Sequence, residues 1–241
     1  MSSEEWGLHI ARVTREAQVK SWRAVEAQHV IVTARLVDNE PEQALLESLF
    51  GEAKPPVPAA ATGLHWLLFT PFRYPPLPRG SRFRSAGESG VWYGADERST
   101  ACAELGYWRW RFLCASPALD ALPAQPQTLF QTQVRGRAID LRRGRFAEKA
   151  ARWTDPNDYA HCQALARAAR QRGVSLIRYQ SVRDLRKGAC TAVLDWRAFE
   201  RKQPLASETW LLEVTRERAV WVAADPLARE RFEYAATFWN I

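Results

Sequence analysis

The first fifty residues place apolar side chains at helical intervals. Val19, Trp22, Val25, His29, Val32 and Leu36 recur every three or four positions, the spacing of one helix face, and predict a helical run from about Val13 to Phe50. A second helix within it has a defined start: Asn39 can cap, Pro41 falls in the first turn, and Glu42 takes the capping-box position ahead of Leu45, Leu46, Leu49 and Phe50. Ala53 to Thr62, with three prolines and four alanines, reads as a linker or strap.

From Gly63 the period shortens toward strands, beginning with the apolar stretch Leu64 to Phe69. Val91 to Ala95 reads as a short buried strand and Ser99 to Leu113 as a helix. Thr128 to Val134 and Ala138 to Leu141 suggest a hairpin about Arg135-Gly136-Arg137. A helix from Pro156 to Arg172 is capped by Asp155 and ended by Gly173. Val174 to Tyr179 and Thr191 to Trp196 are strands around the polar turn Gln180 to Gly188. Thr209 to Val214 and Val220 to Ala223 are two more, before a closing helix around Leu227 to Thr237. Strands and helices mix without regular βαβ alternation, which makes the fold class α+β.

Composition narrows the class further. Of 241 residues 46% are apolar and 25% charged, so the chain buries a sizeable core without disulfide or metal staples. Cys102, Cys114, Cys162 and Cys190 stand far apart and read as buried small hydrophobes in a reducing compartment. The opening Met1-Ser2-Ser3-Glu4-Glu5 has neither a basic nor an apolar export region, and no 18 apolar residues run together; the expectation is a cytoplasmic protein without a membrane span. The net charge is +7, and lysine occurs only at Lys20, Lys54, Lys149, Lys187 and Lys202, leaving 29 of the 34 basic residues arginine. A GC-rich genome gives such a bias, and so does a need to grip phosphate or carboxylate with planar guanidinium forks.

Dinucleotide-binding and phosphate-loop glycine motifs, zinc-protease motifs and the nucleophile elbow are all missing from the sequence. The four histidines, His9, His29, His65 and His161, are not spaced for a shared metal, and His29 and His161 fall in helical patterns as partly buried structural residues. Any chemistry must run without a histidine base, and no metal site is expected.

Two polar segments suit neither a plain core nor a plain surface. In Pro71 to Ala95, arginines alternate with aromatics and prolines, which makes a stiff cationic loop. It leads into a helix where Glu104 stands among Ala101, Cys102, Ala103, Leu105 and Trp108, either as a solvated outward position or as a placed carboxylate. The second segment, Val174 to Asp184, is a strand ending in Gln180, Ser181 and Arg183, groups that make a ligand rim or ordinary turn hydrogen bonds.

These residues resemble the RES-domain family, whose members include the toxins of Xre–RES toxin–antitoxin pairs. The resemblance rests on five ordered blocks: Arg73-Tyr74, Gly80-Ser81-Arg82-Phe83, Tyr93, Thr100-Ala101-Cys102-Ala103-Glu104, and Ile177-Arg178-Tyr179-Gln180-Ser181-Val182-Arg183. The chain departs from the pattern at Phe83-Arg84, where Trp-Asn is more usual, and at Gln180, where Pro is. The resemblance implies an ADP-ribosyltransferase-like split mixed sheet with flanking helices. It divides the chain into an N-terminal helical extension (1–60), a RES core (61–205) and a C-terminal strand and helix extension packed on the core (206–241).

The resemblance also implies an NAD⁺-degrading toxin that breaks the nicotinamide–ribose bond, with NAD⁺ as substrate, inorganic phosphate as co-substrate and no further cofactor. Arg73, Glu104 and Ser181 would be catalytic; Tyr74, Arg82, Tyr93 and Arg183 would bind the dinucleotide or phosphate. A helix-turn-helix antitoxin would be the partner. The departing pyridinium becomes neutral as it leaves, so no acid has to protonate it, and a carboxylate such as Glu104 can steady the oxocarbenium-like ribose. Ser181, with no histidine beside it, is a poor nucleophile and would serve by hydrogen bonding. Transfer of ADP-ribose to a macromolecule is the neighbouring alternative. A basic nucleic-acid-binding module would explain the charge, but no binding motif accompanies it.

Overall fold

The structure, a computed structural model, describes residues 3–27, 41–42, 61, 63–73 and 80–239. After an opening helix α1 (Ser3–Val13), the segment Arg15–Glu26 is a strand, β1, and not the helix its three-and-four spacing predicts. It packs with a period of two: Ala17, Val19 and Val25 lie on one side of the sheet, Trp22 and Ala24 on the other. The reason is tertiary. All twelve residues of β1 pair antiparallel with β3 (Ala121–Asp140), a ladder that a helix here would forgo. The same ladder removes the hairpin expected at Arg135-Gly136-Arg137, because Gln18 and Ala17 pair straight across Arg135 and Gly136 and hold β3 as one 20-residue strand. The second N-terminal helix and the Pro-rich strap lie outside the described residues, apart from Pro41, Glu42 and Ala61.

The apolar stretch at residues 64–69 runs into a helix instead of a strand, α2 (Trp66–Arg73), with Leu67, Leu68 and Phe69 buried. The His65 ring accepts the Leu67 N–H at 3.3 Å and so satisfies one of the open donors at the helix start. The remaining elements are β2 (Trp92–Ala95), α3 (Arg98–Cys114), the single turn α4 (Gly144–Ala147), α5 (Ala160–Gln171), β4 (Leu176–Gln180), β5 (Ala189–Val193), β6 (Ala206–Thr215), β7 (Arg218–Ala223) and β8 (Arg231–Ala235). The helix expected from Pro156 begins only at Ala160, because Asp155 accepts the N–H groups of Asn157 and Asp158 and closes a separate turn first. The closing helix is replaced by β8, whose Phe232 stacks on Trp210 with centroids 5.1 Å apart, followed by a short 3-10 turn.

The strands form one mixed sheet in the order β1-β2-β5-β4-β3-β6-β7-β8, in which β3 and β4 are the parallel pair. This is the α+β architecture expected, a large sheet with few helices. Its two faces carry separate cores. Leu67 and Leu68 of α2 pack with Trp92, Phe130, Val134 and Leu176, while α3 and α5 pack with Leu129, Ile139, Ile177 and Cys190.

Function depends on one topological detail. β1 pairs along its length with β3 but meets β2 only at Trp22–Ala95, so the sheet curls back on itself and stays split between β1 and β2. Gly94 permits the close approach there, since a Cβ at that position would lie 2.6 Å from Ser21 Oγ.

Candidate active site

The split opens into a cavity of about 310 Å³, within the usual range for small-molecule sites. One wall is α3, which presents Ala101, Glu104, Leu105 and Trp108, positions three and four apart and therefore on one helical face. The others come from β1 (Trp22, Arg23), the Gly80–Arg82 turn, Tyr93 of β2, Tyr159 ahead of α5, and Tyr179, Arg183 and Cys190.

Glu104 is half-buried in this wall and its orientation is fixed. Ser181 Oγ donates to Glu104 Oε1 at 2.6 Å and itself accepts the backbone N–H groups of Arg183 and Asp184, both at 3.1 Å. The fully buried Ser181 hydroxyl is thus saturated by the turn and by Glu104. A second buried bond, Thr100 Oγ1 to Asp184 Oδ2 at 2.8 Å, ties the start of α3 to the same turn. Gly188 is required beside it, because a Cβ there would fall 2.1 Å from Thr100 Oγ1. Burial raises the Glu104 pKa, against the opposing pull of the Ser181 bond and of Arg82 and Arg183.

Both arginines are buried and braced by neutral groups. Arg82 Nη1 donates to the Trp153 carbonyl at 2.9 Å, and its guanidinium lies 4.6 Å from the Tyr159 ring centre. Arg183 donates to the Pro156 carbonyl and lies 3.6 Å over the Tyr107 ring. Neither is cancelled by a bonded carboxylate, so their charge is directed at the cavity and at Glu104. Tyr93 plays a bracing part. Its hydroxyl bonds Ser81 Oγ at 2.8 Å and accepts the Phe83 N–H at 3.0 Å, fixing the turn that carries Arg82 and leaving the ring to line the cavity.

The residues predicted from sequence divide as follows. Glu104, Arg82, Tyr93 and Arg183 line the cavity, and Ser181 stands directly behind Glu104. Arg73 ends α2, which packs on the opposite face of the sheet, and it is not among the described residues that line the cavity. Tyr74 lies outside the described residues. Arg178, from the same block as Ser181, is turned to the other face, where it forms a bidentate pair with Asp96 at 2.6 and 2.5 Å. Two further expectations fail, since His161 and Cys114 are exposed; Cys102, Cys162 and Cys190 are buried free thiols.

A family model for the RES domain matches residues 56–215. The chain belongs to the RES family. No curated protein sequence matches this RES chain. Among solved structures, it is similar to a chain of the Mycobacterium tuberculosis MbcT–MbcA toxin–antitoxin complex, with a TM-score of 0.50 at 13% identity, over 89% of this chain and 95% of that one. At that identity the likeness is one of fold.

The RES match includes Arg82, Tyr93, Glu104, Ser181 and Arg183 but begins after β1, whose Trp22, Arg23 and Ala24 also line the cavity; sequence reasoning missed Arg23. Arg23 sits on β1 at the split. Its Nη1 donates to the Tyr93 carbonyl at 3.4 Å, its guanidinium lies 5.5 Å from the Trp92 ring centre, and burial pulls its pKa down to about 10, still cationic at neutral pH. The three-and-four spacing around it predicts a helix where the strand is, which hides it; alternation of Ala17, Val19 and Val25 is the available signal. Tyr159 gave no signal, lying in an irregular loop with no motif of its own. Among the described residues no helix is long and apolar enough to cross a membrane.

Proposed function

We propose that this RES protein is a cytoplasmic NAD⁺-degrading toxin that cleaves the nicotinamide–ribose bond by phosphorolysis and is restrained by a helix-turn-helix antitoxin. The observation that carries the reading is the hydrogen-bonded Glu104 carboxylate facing a cavity between Arg82 and Arg183. A phosphate oxygen attacks the anomeric carbon while the carbon–nitrogen bond breaks. The bonding pair goes to the pyridine nitrogen, and nicotinamide departs neutral. Glu104 steadies the positive charge that develops on the ribose. Arg23, Arg82 and Arg183 supply guanidinium donors for the dinucleotide's phosphates and for the attacking phosphate. Ser181 positions Glu104 and does not attack. The match to a chain of a toxin–antitoxin complex supports a partner that restrains the activity. The experiment that tests the reading is the identification of the products of NAD⁺ with and without phosphate.

The reading also fixes a pH dependence. Only ionised Glu104 can steady the ribose cation, and burial raises its pKa above the ordinary glutamate value of about 4.3. Nicotinamide release should therefore lose kcat/KM on an acid limb lying above that range. A profile from pH 4 to pH 9 that stays flat down to the ordinary value would contradict the role of this carboxylate.

A further inference from the structure

The cavity has two unlike halves. Around Glu104 the wall is polar: Arg82, Tyr93, Tyr159 and Arg183. Its apolar lining is a slot of Trp22, Ala24, Ala101, Leu105 and Trp108 that reaches solvent at Trp108. Trp108 is 47% exposed, unusual for an indole, and lies one helical turn beyond Glu104. Its ring packs edge-to-face with Tyr107 at 5.1 Å, and the Arg111 guanidinium lies 5.7 Å from its centre. An ion pair between Arg109 and Glu26 at 2.9 Å ties α3 to β1.

We propose that this slot, with Trp108 as its platform, takes the adenine of the dinucleotide by stacking alone. The inference rests on the NAD⁺ reading above. The nicotinamide must lie at the polar end, where its bond breaks beside Glu104 and its carboxamide needs hydrogen-bond partners. The slot's side chains are aliphatic or indole, with no amide or hydroxyl to read a base edge, so a base held here shows its polar edge to water at the mouth. Recognition by a π-face is insensitive to the edge, because every base has one. The enzyme should then accept hypoxanthine or guanine in place of adenine with little change in KM.

The test measures nicotinamide release from NAD⁺, from its hypoxanthine analogue and from nicotinamide mononucleotide, which has the same reactive bond and no adenine. For wild type, the hypoxanthine analogue should have a KM within about threefold of that for NAD⁺. In Trp108→Ala the KM for both dinucleotides should rise by roughly tenfold, the loss of one stacked base, with kcat little changed. The mononucleotide's KM, or its inhibition constant if it binds uncleaved, should stay as in wild type, and Trp108→Phe should recover most of the loss. Wild type that turns over NAD⁺ while Trp108→Ala leaves KM unchanged, or weakens the mononucleotide equally, overturns the slot alone. Wild type that leaves NAD⁺ intact overturns the reading beneath it.

Discussion

Replacing Glu104 by glutamine should lower nicotinamide release by two to three orders of magnitude in kcat, the usual loss when one preorganised electrostatic stabiliser is removed. Glutamine keeps the shape and can still accept the Ser181 hydrogen, so the turn should remain intact and the loss reports charge alone. The same substitution should leave the protein more thermally stable at neutral pH. Burial raises the folded-state pKa of Glu104, so the stability this residue permits is full below its ordinary pKa and is lost as pH rises through the raised one. Glutamine removes that loss, and the gain should vanish in acid. Initial rates with thermal scans at pH 5 and pH 8 check both effects. Full activity in the variant would mean that the carboxylate is not the working group.

Ser181→Ala should be damaging in two separable ways. The alanine leaves the Arg183 and Asp184 N–H groups buried without their acceptor, at about 1–3 kcal/mol each, a large part of the stability of a single domain. It also frees Glu104 from the Ser181 hydroxyl donor, which should reduce kcat and move the acid limb to still higher pH, since that bond favours the ionised form. Denaturant titration and a pH–rate profile separate the two. A variant with wild-type stability and an unmoved limb would show that the hydroxyl is not positioning Glu104.

Why some of this was legible in the sequence and some was not follows from where the information lies. The helix bearing Glu104 and the strand ending at Ser181 have strong local patterns, and the motif blocks on them mark the residues that meet in the cavity. Arg23 depends instead on which strand β1 pairs with. Val19, Trp22 and Val25 fit a helix face as well as a strand, and only the ladder with β3, about a hundred residues away in the chain, decides between them. The placement of Arg73 was illegible for the complementary reason. Its motif is local, but the side of the sheet on which α2 packs is set by Leu67 and Leu68 meeting Trp92 and Phe130. Likewise β8 could pass for a helix until β7 supplied an edge to pair with.

The central claim is that a carboxylate and guanidinium groups at the split of this sheet break NAD⁺ with phosphate as acceptor. Mass spectrometry of NAD⁺ incubated with the purified protein, with and without inorganic phosphate, tests it most directly. The account predicts nicotinamide together with ADP-ribose-1″-phosphate when phosphate is present, and both formed at a rate lower by two to three orders of magnitude with Glu104→Gln. Intact NAD⁺ after prolonged incubation, or an ADP-ribose adduct on protein in place of the phosphorylated sugar, would contradict it.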